Sequence, residues 1–115
     1  MDAERVMQFM INRLRLQGKI GVYARSIGGI PGSHLVRKFP KFIKLFIGDC
    51  TMGSFDELVK HRYSGCISML PLYHLLSNWS IVDNGENIYA NKVCYKILAF
   101  DEQDTFIHTN ASIHQ

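Results

Sequence analysis

Apolar residues recur along the first sixteen positions with helical period. Val6, Met10 and Leu14 are spaced four apart, with Met7 and Ile11 beside them, so one face is apolar. Asp2 can cap this helix, and Glu4 lies in its positively polarised first turn. The helix is expected over about residues 3–17, with Gly18 as its stop. The period then shortens. KIGVY, residues 19–23, alternates Ile20 and Val22 with other residues and predicts a short edge strand.

IGGIPGS is a loop by its glycines and proline, and Ser33 can cap a second helix from His34. Leu35, Val36 and Phe39 supply its apolar contacts, and Pro40 predicts a break near Phe39. KFIKLFIG reads as a further turn or two of helix, with Phe42, Ile43, Phe46 and Ile47 inward, Lys41 and Lys44 outward, and Gly48 as its end. Ser54 and Glu57 form a capping box that starts a helix over residues 55–63. Pro71 opens a short helix over residues 71–76. Residues 79–82 and 87–90 read as two strands joined by Asn84-Gly85, a pair suited to a primed hairpin turn. Val93, Tyr95 and Ile97 alternate and extend that sheet. The order predicts an α+β fold: a winged helix-turn-helix of three to five helices with a small antiparallel sheet, the hairpin being its wing.

The 115 residues, 47% of them hydrophobic, fit one domain and are too apolar for disorder. That domain is expected over residues 1–98, followed by a loosely held polar, acidic tail over residues 99–115, whose Phe106 and Ile107 can dock back onto it. No apolar run reaches the roughly 18–20 residues of a membrane span. MDAERVMQ carries acids where a signal peptide needs cations. Three widely spaced cysteines, Cys50, Cys66 and Cys94, do not make a disulfide framework. The expectation is an intracellular chain, cytoplasmic or nuclear, without a membrane partner.

Charge changes the picture more than composition does. Residues 1–62 carry 11 basic and 5 acidic side chains, and residues 63–115 carry 2 basic and 5 acidic, so the halves are +6 and −3. Eight basic residues and no acid lie between Arg13 and Lys44. Such a run is either a solvated face or a surface for phosphate.

Several segments together resemble a known family. VYARSIGGIPGSHLVRKF, FIG, FDELVKH and WSIVDNGENIYA look like the winged-helix modules of Egalitarian-type proteins, which are related in architecture to LOTUS (OST-HTH) domains. Arg25-Ser26-Ile27-Gly28, Leu35-Val36-Arg37, Ile47-Gly48, the Phe55, Leu58, Lys60 and His61 set, and Val82-Asp83 stand at the family's positions, over about residues 3–92. The linker over residues 63–78 is longer than such modules carry, and no exonuclease segment is present from which nuclease chemistry could follow. The resemblance implies RNA binding or the docking of protein partners.

Two functions of different class follow. The first is a non-enzymatic nucleic-acid-binding module, for RNA rather than DNA by the resemblance, gripping phosphates with Arg25, Arg37, Lys38, Lys41, Lys44, Lys60 and Arg62, with Tyr23 and Tyr63 as stacking candidates. The second is a protein adaptor or homodimerisation domain docking through the apolar segment 66–76, with Met69, Leu72, Tyr73 and Leu76 at its interface. Ser33 and the amides of His34 and Leu35 are either a simple cap or a seat for one phosphate beside Arg25 and Arg37. No metal, cofactor or catalytic residue is expected. Cys50, His61, Cys66 and His74 are spaced by 11, 5 and 8 residues, without a ligand signature. No cysteine stands in a nucleophile context.

Overall fold

The computed structural model describes residues 2–54, 57–58, 83–107 and 111–113. Helix α1 (Asp2–Asn12) leads to strand β1 (Ile20–Arg25). A 3-10 turn (Ser26–Gly28) continues into helix α2 (Gly29–Lys38), and strand β2 (Ile43–Asp49) follows. Helix α3 (Asn84–Ala90) then leads to strand β3 (Tyr95–Ala99). The strands form one sheet in the order β1-β2-β3, and both pairings are parallel.

An all-parallel sheet overturns the winged helix expected from the sequence. A wing is an antiparallel hairpin; here β2 and β3 are each reached by a crossover that contains a helix. Two local readings account for the error. IKLFIGD was expected to be helical because Phe42, Ile43, Phe46 and Ile47 fit that period, but the same short apolar run fits a strand that buries Ile43 and Phe46 and half-buries Leu45 and Ile47. Asn84-Gly85 was expected to turn a hairpin. Instead the Asp83 side chain accepts from Glu86 N at 2.8 Å and caps α3, so DNGE starts a helix. The expected return strand over residues 87–90 is that helix. The expected strand over residues 79–82 and the short helix over residues 71–76 lie outside the described residues.

Other boundaries moved less. Helix α1 ends at Asn12, and Arg15 takes a positive φ before Gly18 does. Helix α2 begins at Gly29 rather than His34, and it stops before Pro40 as the proline requires. Ser33 is therefore not a cap. It is fully buried inside the helix, where its hydroxyl donates to Asn84 Oδ1 at 2.9 Å. The alternative reading, a phosphate seat on the amides of His34 and Leu35, does not form either, because both amides lie inside α2. Ser54 does accept from Glu57 N, at 3.2 Å, as the capping box requires.

Helix α2 packs on one face of the sheet, and α3 packs against α2 with Ile88 reaching the same core. Gly32 brings α2 down onto Val22, Ala24 and Phe46; a Cβ there would stand 2.9 Å from that of Ala24. Val36, Ile43, Phe46 and Ile88 are fully buried at the centre of this core, and Met7 of α1 joins them. Three asparagines of α3 and its C-terminal end bind the helix layer together. Asn84 Nδ2 donates to the Met52 carbonyl, Asn87 Oδ1 accepts from Arg37, and Asn91 Nδ2 donates to the Val36 carbonyl. Beyond β3, Ile107, Ala111 and Ile113 are buried, and Ser112 bridges Met52. Among the described residues no helix is long and apolar enough to cross a membrane.

Candidate nucleic-acid interface

Three parallel strands in register have all their starts at one edge and all their ends at the other. Every connection that enters a strand therefore delivers its side chains to the same edge. Lys19 precedes β1, Lys41 precedes β2, and Lys92 precedes β3. Lys44 and Lys96 lie in the first residues of β2 and β3. Arg37 and Lys38 stand in the last turn of α2, where cations also suit the helix dipole. Seven cations from three separate connections thus share the amino edge of the sheet.

Among the described residues two carboxylates, Glu4 and Glu86, pair with them. Lys38 Nζ lies 2.6 Å from Glu4 Oε1, and His34 Nε2 lies 3.2 Å from Glu4 Oε2. The Lys38 ammonium, with His34 second, holds the Glu4 carboxyl below its ordinary range. Arg37 reaches Glu86 at 3.6 Å and Asn87 Oδ1 at 3.0 Å. A cavity of about 470 Å³ opens here, lined by His34, Arg37, Lys38 and Asn87. Lys44 and Lys96 spend their ammonium groups on backbone carbonyls: Lys44 on Pro40 at 2.7 Å, Lys96 on Asn91 and Cys94 at 2.9 Å each. Lys19, Lys41 and Lys92 are exposed.

The sequence-predicted set is only partly assembled. Arg37, Lys38, Lys41 and Lys44 come together. Arg25 does not: it ends β1 at the opposite edge, 3.6 Å from Asp49. Tyr23 is exposed but faces away from the helices, and its hydroxyl donates to Asp49 Oδ2 at 2.6 Å. That bond holds the Asp49 carboxyl below its usual range and pushes the Tyr23 phenol up. Lys60, Arg62, Tyr63, Met69, Leu72, Tyr73 and Leu76 lie outside the described residues. Lys92 and Lys96 were missed because they belong to the acidic half of the chain. Reading β3 as parallel to β2 would have found them.

The carboxyl edge is acidic. Asp49 ends β2, Asp83 caps α3, and Asp101, Glu102 and Asp104 follow β3, with Arg25 among them. Burial pushes the Cys50 thiol up, with the Asp49 carboxylate adding to it, and burial pushes Cys94 up against the pull of Lys96 and Lys44. Both shifts favour the protonated thiol, the less reactive form. Among the described residues no group of three His, Cys, Asp or Glu side chains could hold a metal.

A scan against protein-family models finds no match to this chain, and searches of curated proteins and of solved structures find none.

Proposed function

We propose that this chain is a non-enzymatic nucleic-acid-binding module that grips backbone phosphates with the amino edge of its parallel sheet. The observation that carries the reading is the convergence of Lys19, Arg37, Lys38, Lys41, Lys44, Lys92 and Lys96 from three connections, against two pairing carboxylates. Cations spread along the chain could be a solvated face. Cations gathered on one edge raise the local potential enough to hold a polyanion. Affinity then comes from phosphate contacts and counterion release, with weak sequence preference.

The test is a titration of the full chain with single-stranded RNA, duplex RNA and duplex DNA at two salt concentrations. The comparison is a variant carrying Lys19→Glu, Lys41→Glu and Lys92→Glu, all at exposed positions where charge reversal costs little stability. Losing three phosphate contacts should weaken binding to every sequence and flatten the slope of log K against log salt by roughly 2–3. Equal affinity with an unchanged slope overturns the reading. The three ligands decide between RNA and DNA.

A further inference from the structure

Among the described residues the face of the sheet opposite the helices is apolar and open. Strand alternation and register place Gly21, Leu45 and Tyr95 in one row across it, Tyr23, Ile47 and Ile97 in the next, and Arg25, Asp49 and Ala99 in the third. Tyr95 is 80% exposed, the most exposed large apolar side chain among the described residues; Tyr23 is 63% exposed and Ile97 54%. Antiparallel sheets often leave one face to water, but parallel sheets occur almost only with both faces covered.

The charges identify what can cover it. Among the described residues the amino edge of the sheet is basic and the carboxyl edge acidic, and Arg25, on the open face, is paired with Asp49. A surface that is apolar in the middle with opposite charges at its two ends is complementary to itself when turned end for end. We propose that the open face is a homodimer interface, closed by a second copy of this chain whose strands run antiparallel to those of the first. A two-fold axis in the interface plane, perpendicular to the strands, sets Leu45, Ile47, Tyr95 and Ile97 against the same residues of the second copy. The same axis lays each basic edge over the partner's acidic edge. The interface is isologous and therefore closes at two copies.

Its size sets its strength. Three strands about 4.8 Å apart and five or six residues long present a footprint of roughly 300 Å². That is below the roughly 800 Å² per partner of a stable complex, so the dimer is reversible and dissociates on dilution. Because opposite charges meet at both ends, salt weakens it, whereas a purely apolar contact would hold or tighten.

Sedimentation equilibrium of the full chain from a few to several hundred micromolar, at low and high salt, tests the proposal without nucleic acid, and so separately from the proposed function. The expected result is a concentration-dependent shift toward twice the chain mass that retreats at high salt. Tyr95→Lys, at the most exposed position, and Ile97→Glu should each give a monomer with an unchanged circular dichroism spectrum. Tyr95→Lys alone keeps the test valid if Ile97→Glu disturbs β3. A folded wild-type chain that stays monomeric throughout overturns the proposal, as does a dimer that persists in folded Tyr95→Lys. A Tyr95→Lys variant that loses RNA affinity with no dimer to lose also overturns it, making the face a base-stacking surface instead.

Discussion

Gly32 is where one hydrogen atom in place of a methyl group sets the spacing of two layers. A Cβ at this position would meet the Ala24 Cβ at 2.9 Å and the Phe46 ring at 3.2 Å, both in the packed core beneath α2. Gly32→Ala is expected to destabilise the chain by about 1–3 kcal/mol through overpacking, despite the better helix propensity of alanine. A higher denaturant midpoint would show that α2 can lift without loss. Asn84 is fully buried, and its side chain joins Ser33 to the Met52 carbonyl. Asn84→Ala removes the donor to the Met52 carbonyl, while the Ser33 hydroxyl keeps the Ile30 carbonyl at 3.0 Å, and should cost about 1–3 kcal/mol in chemical denaturation. Glu4 and Asp49 both contribute to acid sensitivity. Glu4 and Asp49 both titrate below their ordinary values when folded, so each contributes stability above the unfolded carboxylate range that is lost as pH falls through the folded value. The denaturation midpoint should therefore fall between about pH 5 and pH 2, and less steeply in Glu4→Gln and Asp49→Asn.

At the scale of elements, DNGE shows how one tetrapeptide supports two structures. Asn-Gly favours a primed turn, while Asp83 followed three residues later by Glu86 is a helix start. The helix prevails because its asparagines find buried partners in α2 and in the segment after β2. Asp83→Ala removes the acceptor of Glu86 N and is expected to cost about 1 kcal/mol, read as a lower denaturant midpoint. No change would place the start of α3 elsewhere. The strand over Ile43–Asp49 carries the opposite lesson. Apolar spacing alone fits both a helix and a buried strand, and what selects the strand is its ladder with β1 and β3, neither of which is local.

For the whole molecule, the location of charge matters more than its sum. The two edges of the sheet are separated by roughly 20 Å of strand, about two Debye lengths at physiological salt. Lys41→Glu and Glu102→Lys change the net charge by equal and opposite amounts at exposed sites on opposite edges. If phosphate is held at the amino edge, Lys41→Glu lowers RNA affinity severalfold and flattens the salt slope by about one contact, while Glu102→Lys leaves the slope unchanged. Symmetrical effects would show that net charge alone attracts the ligand.

Much that was local was legible without coordinates. The helix near the N-terminus, the strand at KIGVY, the stop before Pro40, the Ser54 cap and the alternation at Tyr95 and Ile97 all follow from side-chain period and capping, which act within a few residues. The acid-free run from Arg13 to Lys44 was visible too. What needed the tertiary structure was direction. Whether β3 runs with β2 or against it depends on a crossover through α3, and no local pattern encodes it. That direction brings Lys92 and Lys96 from the acidic half to the basic edge, carries Arg25 away to Asp49, and turns Tyr23, Ile47, Tyr95 and Ile97 onto one open face. Sequence determined which residues are charged and which are apolar; the parallel ladder decided which of them meet.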